Sequence, residues 1–345
     1  FRKAYPLARL GFFRNPYDRF LVHKLVTYAL ALTFLIDFGS TAVAADAGLD
    51  RVHFLIPAGP GGGWDGTARG VGLALSQTQL VSNITYENAA GGGGGRAIAK
   101  LIETADRQQN TLLISSTPII VRALQGVFPQ SFRDLVPIAA MIADYSCFAV
   151  RADSEIQNFS DLAKRYKTDP RSIVVAGGSV RGNTDHFVLA KALQLAGADP
   201  KQLVYLAYDG GGKAAAGLLS GETQVLSTGL SEALQMHQAG LLKIIAVTAP
   251  APMPHLPDLP LLNTQGIDLV FANWRGFFAA KGLGDAQYAR MRHTLRTVSE
   301  TAVFDDIRLR NGWAENYLEG DAFYAFLTQQ EAQIRSLMQS IGYLR

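Results

Sequence analysis

Short apolar runs alternate with amphipathic stretches along the chain from Arg51 onward. The apolar runs are rich in β-branched residues and predict strands, whereas the stretches between them carry apolar residues at helical spacing and predict helices. The predicted strands are Val52–Ile56, Ile84–Tyr86, Thr111–Ser115, Phe148–Arg151, Ser172–Ala176, Gln202–Leu206, Lys243–Thr248 and Gly276–Ala280. The predicted helices include Thr67–Ser76, Arg96–Glu103, Asp185–Ala196 and Lys213–Ser220. This alternation favours an α/β fold in which helices cover both faces of parallel sheets.

The same pattern indicates two domains. The strand–helix rhythm begins again after Arg151, and the proline-rich segment Pro250–Pro260 has the character of a return path. We therefore predict that residues 46–149 and 271–345 form domain 1 and that residues 150–270 form domain 2. The tail from Asp285 to Tyr343 is helical in character, with one apolar face formed by Phe323, Phe326, Leu327, Ile334, Met338 and Ile341.

Residues 1–45 consist of an extended basic N-terminus followed by the pattern of a secretion signal. Lys24 precedes a largely apolar run from Leu25 to Ile36, and 42–44 (AVA) supplies the small residues that precede a cleavage point. The apolar run is too short to cross a bilayer, which takes about 20 residues. No cysteine follows it, so no lipid anchor is expected. The pattern predicts export to the periplasm through a cleaved signal peptide.

Charge and cysteine content exclude several classes of function. The formal net charge is +3, but residues 1–45 carry six basic and two acidic side chains, which leaves −1 for residues 46–345. A body without excess positive charge is not expected to bind nucleic acid or an anionic membrane surface. The one cysteine, Cys147, rules out an intrachain disulfide, and the six histidines show no metal-ligand spacing. We therefore expect neither a metal nor another cofactor.

Three predicted strands in the first half of the chain end in short loops rich in glycine or hydroxyl groups. The loops are 57–65 (PAGPGGGWD), 88–95 (NAAGGGGG) and 115–118 (SSTP). In a parallel sheet such loops gather at the carboxyl edge, where ligands bind. Glycines allow backbone N–H groups to converge, and the positive end of the helix that follows points to the same place. A flexible linker is the alternative, but both glycine runs lie where a strand becomes a helix. The loops therefore predict a site for a small anion.

A nucleotide site is the competing interpretation of the first loop. The pattern G-x-G-x-x-G at 61–66 follows a strand, opens a helix and has Glu87 about 20 residues further on, as a dinucleotide-binding fingerprint requires. Trp64 and Asp65 lie in the turn where a pyrophosphate would bind, which counts against that interpretation. A Rossmann-type NAD-dependent oxidoreductase stays open as the alternative function. A hydrolase is less favoured, because the chain has no G-x-S-x-G nucleophile motif.

Polar residues follow the predicted strand Ser172–Ala176 at the corresponding edge of the second domain. Ser179, Asn183, Thr184 and His186 lie there, and their hydroxyl and amide groups are suited to bind the far end of a ligand. Capping of the following helix is an equal alternative for Asn183 and Thr184. A local hydrogen bond is the alternative for His186.

Several of these motifs resemble those of the tripartite tricarboxylate transporter receptors, the TctC/Bug-type extracytoplasmic solute-binding proteins. The stretch 56–65 (IPAGPGGGWD), with Arg69 beyond it, is similar to the first binding loop of that family, and 87–90 (ENAA) with its glycines is similar to the second. Further matches are 177–179 (GGS), His186, 208–211 (YDGG), 239–248 (AGLLKIIAVT) and 273–277 (NWRGF). The chain departs from the family pattern at 91–95, usually Gly-Ala-Gly-Gly, and at 209–213 (DGGGK), usually Arg-Gly-Ser.

The resemblance implies a periplasmic binding protein of type II, in which two domains close on a ligand cleft like a Venus flytrap, with a hinge near Val150 and Phe271. It implies a monomeric receptor without enzymatic activity. Its expected ligand is a small carboxylate, with citrate or another tricarboxylate favoured, and its expected partners are integral-membrane permease subunits. The ligand-binding residues expected from the loops and the resemblance are Ala58, Gly59, Gly61, Gly62, Gly63, Trp64, Asp65, Asn88, Gly91, Gly92, Gly93, Ser115, Ser116, Thr117, Gly178, Ser179, Asn183, His186, Tyr208 and Gly210.

Overall fold

Strands and helices alternate through most of the computed structural model, which describes residues 48–344. The strands are β1 (Arg51–Ile56), β2 (Asn83–Asn88), β3 (Thr111–Ser116), β4 (Val136–Arg151), β5 (Val174–Gly177), β6 (Val204–Ala207), β7 (Val225–Gly229), β8 (Leu242–Val247), β9 (Ala272–Ala279) and β10 (Ala314–Glu319). The helices are α1 (Gly63–Gln77), α2 (Gly95–Glu103), α3 (Pro118–Leu124), α4 (Phe159–Thr168), α5 (Thr184–Leu195), α6 (Gly211–Leu219), α7 (Leu230–Gln238), α8 (Asp285–Ser299), α9 (Ala302–Arg310) and α10 (Gly320–Ser340). The predicted α/β class is confirmed.

One long strand, β4, joins two groups of strands. In the first group, β1 lies between β2 and β3 in parallel, and β9 runs antiparallel between β3 and β4. In the second group, β5 lies between β6 and β7 in parallel. The part of β4 up to Tyr145 pairs with β9 and β10, whereas from Ser146 onward it pairs with β7 and β8. The partners of β4 therefore change between Tyr145 and Ser146.

The return path crosses between the groups beside this point. The amide of Thr248, just after β8, donates to the carbonyl of Ser146 at 2.9 Å, and its hydroxyl donates to the carbonyl of Phe271 at 2.6 Å. Phe271 leads directly into β9, so both connections between the strand groups are hydrogen-bonded side by side. The partner change in β4 lies a few residues before Val150, and the return path reaches β9 at Phe271. The predicted domain limits stay a prediction, because the chain from Gly48 onward packs as one unit.

Both faces of the strands are buried under apolar side chains. In β1, Phe54 and Ile56 belong to one apolar cluster, and Leu55 between them belongs to another, because successive side chains of a strand point to opposite faces. The cluster that holds Leu55 also contains Phe148 and Trp274, so it continues across both strand groups. Burial of both faces explains why the strands read as continuous apolar runs. It also leaves the strand ends as the place where polar loops can form a site.

Each predicted strand overlaps an observed one, but three strand segments differ from the sequence prediction. The first part of β4 (136–147) is missing from the prediction, as is β7, whose last residues are small and polar. The tail is not wholly helical, because β10 interrupts it and pairs with β4. The sequence of β10, AENYLE, alternates poorly and is mostly half-buried, so its position depends on pairing with β4 more than on its own apolar pattern.

The predicted signal peptide and extended N-terminus lie outside the described residues. Among residues 48–344, no helix combines the length and the apolar character that a membrane crossing requires. Cys147 is fully buried in β4, where it packs as a small apolar residue.

Candidate functional site

Loops from both strand groups surround one cavity of about 360 Å³. Residues that follow β1, β2 and β3 line it from the first group, and residues that follow β5 and β6 line it from the second. Because the carboxyl ends of parallel strands meet at one edge, loops that are distant in sequence converge here. The convergence that the sequence predicts is therefore present on both sides of the cavity.

Most of the predicted ligand-binding residues line this cavity. They are Ala58, Gly62, Gly63, Trp64, Gly91, Gly92, Gly93, Ser116, Gly178, Ser179, Asn183, Tyr208 and Gly210. The remaining predicted residues are not part of the lining; they are Gly59, Gly61, Asp65, Asn88, Ser115, Thr117 and His186. Ligand contact by any of these residues stays a prediction, but the structure gives several of the second set another role.

Asp65 and Asn88 hold the first two loops in place from behind the cavity. The Asp65 carboxylate accepts hydrogen bonds from the amide of Gly61 at 3.0 Å, from Nε of Arg69 at 2.9 Å and from Nδ2 of Asn88 at 2.9 Å. Asn88 Nδ2 also donates to the carbonyl of Ala58 at 2.9 Å. Burial acts to raise the pKa of Asp65, but these hydrogen bonds outweigh it and leave the pKa below its ordinary value. Asp65 therefore stays ionised and shapes the loops.

The glycine run after β2 bends around one end of the cavity. Gly91, Gly92, Gly93 and Gly94 have φ angles of 135°, 62°, 66° and 101°, which only glycine adopts freely. Consecutive amides in such a turn form a concave surface that favours anions, and α2 starts immediately after it. The guanidinium of Arg122 lies behind the run, since a Cβ at Gly93 would be 3.1 Å from its Nε. Within residues 48–344, no carboxylate pairs with Arg122. This end of the cavity is therefore electropositive.

The side of the cavity formed by the second strand group is built around the start of α5. Asn183 caps that helix, with its Oδ1 accepting from the amide of Thr184 at 2.8 Å, and it also lines the cavity. Ser179 Oγ accepts from the amide of Asp185 at 3.1 Å. Tyr208 donates to Glu222 from its hydroxyl at 2.5 Å. Capping is thus an observed role of Asn183, and its contact with a ligand stays a prediction.

His186 belongs to an aromatic cluster beneath the cavity. Its Nδ1 accepts from the amide of Gly182 at 2.9 Å, and its Nε2 lies 3.0 Å from the hydroxyl of Tyr343. Its ring packs against Tyr205 and Tyr343. The local hydrogen bond that the sequence leaves open for His186 is therefore present, and the residue supports the α5 loop from below.

Charged residues that the sequence analysis does not select also line the cavity, namely Asp185, Asp209, Glu232 and Arg275. The charge of Arg275 is paired within the protein. Its Nη2 donates to buried Asp144 at 2.6 Å, and its Nη1 donates to the carbonyl of Gly63 at 2.8 Å. Asp209 pairs with Lys213 at 3.4 Å. Asp185 and Glu232 carry no cationic partner in the described part of the chain, so the second side of the cavity is rich in hydrogen-bond acceptors.

Asp185 and His186 are neighbours whose pKa values are shifted in opposite directions. Burial, and secondly the negative charge of Glu232, raise the pKa of Asp185 from 3.8 to about 7. Burial, and secondly the positive charge of Arg181, lower the pKa of His186 from 6.5 to about 4. Asp185 stabilises the fold below pH 3.8, and this contribution is lost as the pH rises through 7. His186 stabilises the fold above pH 6.5, and this contribution is lost as the pH falls towards 4.

These two contributions to stability oppose each other between about pH 4 and 7. We therefore predict that replacing one residue exposes the pH dependence of stability that the other residue causes. With Asp185→Asn, the free energy of unfolding should fall by roughly 1 kcal/mol for each unit of decreasing pH below about 6.5. With His186→Gln, it should rise by a similar amount as the pH decreases from about 7. Urea unfolding at several pH values measures both slopes. Slopes equal to that of the unchanged protein in both variants would contradict the assignment.

Comparisons with known proteins identify a family and proteins of similar fold. The model of the TctC family, described as tripartite tricarboxylate transporter family receptor, matches residues 67–343. A UPF0065 protein from the tcbD-tcbE intergenic region of Pseudomonas sp. (strain P51) is 28% identical over 237 residues, which is 67% of this chain and 68% of the relative. The R. palustris protein Rpa4515, solved with adipate, has a TM-score of 0.77 at 18% identity and covers 85% of this chain and 97% of its own. MatC from Rhodopseudomonas palustris, solved with bound malate, has a TM-score of 0.73 at 18% identity and covers 84% and 99%.

Proposed function

The chain belongs to the tripartite tricarboxylate transporter receptor family, and from this premise we propose that it captures a small carboxylate and delivers it to the membrane subunits of such a transporter. The family consists of solute-binding receptors and not of enzymes, so the dehydrogenase alternative is not retained. The G-x-G-x-x-G pattern at 61–66 instead forms the turn into α1, with Trp64 in the cavity lining.

The observation that carries the proposal is the cavity between glycine loops of the two strand groups. One end of this cavity is formed by the run 91–94, with Arg122 behind it, and suits a carboxylate. Two proteins of similar fold were solved with adipate and malate, both of which are small dicarboxylates. A volume of about 360 Å³ is large enough for a molecule of that size.

The loops of the two groups meet above the cavity, which supports a mechanism of closure around the ligand. A Cβ at Gly62 would lie 3.5 Å from the Cα of Gly210, so the first loop and the loop after β6 are in near contact. The paired crossings at Ser146 and Phe271 then act as the hinge. In this function residues 1–45 direct export to the periplasm, and the closed monomer docks on permease subunits of the transporter.

We expect small carboxylates to raise the midpoint of thermal unfolding of the purified protein. A ligand that binds only the folded state adds about 2.7 kcal/mol of stability at a concentration of one hundred times its Kd. A thermal-shift screen should include malate, succinate, adipate, citrate and monocarboxylates of the same lengths, with their methyl esters as uncharged controls. NADH serves as a control for a nucleotide site. The proposal fails if no free acid raises the midpoint above its ester.

A further inference from the structure

Glu232, in the first turn of α7, lines the cavity and bridges the two strand groups. Its Oε1 accepts a hydrogen bond from the amide of Gly63 at 2.8 Å and another from the amide of Gly211 at 3.0 Å. Its Oε2 accepts from the hydroxyl of Thr228 at 2.8 Å. Gly63 opens α1 in the first group, and Gly211 opens α6 in the second. One side-chain carboxylate thus binds the first amides of two helices that face each other.

The Glu232 carboxylate lies where an anion binds at the N-terminus of a helix. Free amides and the helix dipole make such a start attractive for a carboxylate, and here two starts share a single carboxylate from the protein itself. Gly211 is needed for this approach, because a Cβ there would fall 2.5 Å from the Glu232 carboxyl group. Glu232 therefore occupies the anion position that the first glycine loop creates.

The surroundings of Glu232 oppose a second negative charge from a ligand. Asp185 also lines this part of the cavity, and Glu232 is near enough to contribute to the raised pKa of Asp185. The nearby guanidinium of Arg275 is bound to Asp144, so it does not offset these acids. Bringing like charges together in a partly buried site is strongly unfavourable. A hydroxyl or ammonium group, by contrast, finds carboxylate acceptors here.

We propose that Glu232 is a specificity-determining residue, which directs the single carboxylate of the ligand to the glycine run 91–94 and selects a hydrogen-bond donor, hydroxyl or ammonium, at the other end. The inference rests on the proposed function, since it needs a carboxylate ligand in this cavity. It assigns this chain to hydroxy- or amino-substituted monocarboxylates rather than to di- or tricarboxylates. A ligand of that kind satisfies both the electropositive end and the acceptor-rich end.

The test compares ligands that differ only in the group opposite the carboxylate. Two series are used: butyrate, 4-hydroxybutyrate, 4-aminobutyrate and succinate, and hexanoate, 6-hydroxyhexanoate, 6-aminohexanoate and adipate. Titration calorimetry with the full chain should show that a hydroxy or amino acid binds at least about tenfold more tightly than the diacid of the same length. In Glu232→Gln this preference should shrink by about tenfold or reverse, because the amide oxygen can still accept from Gly63 and Gly211 while the charge is lost.

Two further variants make the outcome decisive. Asp185→Asn removes the second acid and, at pH 8, above the pKa of about 7 that burial gives Asp185, should move the preference in the same direction, even if Glu232→Gln does not fold. Glu300→Gln changes an exposed acid at the end of α8 and should leave the preference unchanged. If the diacids bind best and the cavity variants keep the order of affinities, the inference is wrong while the carboxylate function stands. If no acid of either series binds any variant, the inference is wrong, and the proposed function is wrong as well if malate and citrate also fail in the thermal-shift screen.

Discussion

Gly178→Ala is expected to abolish ligand binding, although it adds only one methyl group. Gly178 follows β5 and lines the cavity. A Cβ at this position would lie 2.5 Å from the carbonyl carbon of Gly210 and 2.8 Å from the Cα of Gly211, and it would be closer still to the amide nitrogen of Gly211. These are backbone atoms that cannot rotate away, so the loop after β6 and the start of α6 must move. That movement displaces Gly211 from Glu232 and separates the loops that close the cavity.

Calorimetric titration with the tightest ligand from the thermal screen measures this effect, and we expect at least a hundredfold loss of affinity, about 2.7 kcal/mol. Gly66→Ala is the matched control, because Gly66 lies on the exposed side of α1 and a Cβ there meets no atom within 4 Å. Circular dichroism and the unfolding midpoint establish that each variant is folded. Near-normal affinity in a folded Gly178→Ala would show that closure of the loops over the ligand is not needed for binding.

The structure separates glycines that look alike in the sequence. A Cβ at Gly62 makes an ordinary contact of 3.5 Å with Gly210, so alanine should be tolerated there and only larger side chains should interfere. Gly92 has open space around it, but its φ of 62° strains any other residue. Gly178 has neither a positive φ nor free space. Its constraint comes from a loop that is distant in sequence, which no local pattern reveals.

The parts of the fold that follow from local pattern are those predicted best. The strands β1, β3 and β8 carry dense apolar runs, and the loops after β1 and β2 carry glycines, so both the strands and the cavity end they form can be predicted. The carboxyl-edge rule then selects residues such as Ser116 and Ser179 without knowledge of the tertiary structure. These predictions succeed because strand ends and helix starts are encoded within a few residues.

The residues that escaped prediction owe their positions to tertiary packing. Glu232 reads as one acid in the first turn of an amphipathic helix, and only the approach of α1 and α6 turns it into a cavity residue. Asp185 is an acid in the first turn of α5, and acids are common at that position in helices, so the sequence does not mark it as a cavity residue. Most of β4 is missed because its first part, VPIAAMIADYSC, carries a proline and buried polar residues such as Asp144 and Ser146 among its apolar ones. Charges that decide ligand preference are thus the least visible in sequence.

Arg275→Met should lower the free energy of unfolding by about 3–5 kcal/mol, because it leaves the Asp144 carboxylate buried without its cation. Arg275 is 2% exposed and Asp144 is fully buried, with Nη2 and Oδ2 2.6 Å apart. Asp144 also accepts from the amide and the hydroxyl of Ser231 at 3.2 and 2.6 Å. These bonds keep it in place but do not neutralise its charge. Urea unfolding at pH 7 measures the loss.

The double variant Arg275→Met/Asp144→Asn separates the charge from the packing. It removes the buried charge and keeps an acceptor for Ser231, so it should recover most of the lost stability. In the single variant the loss should also shrink as the pH falls, since protonation of Asp144 removes the same charge. A loss below about 1 kcal/mol, the range of exposed pairs, would mean that water reaches Asp144 in the variant.

The pair joins β4 and β9 to α1, and through Ser231 it anchors the helix that carries Glu232. We therefore expect ligand affinity and stability to be lost together in Arg275→Met and regained together in the double variant.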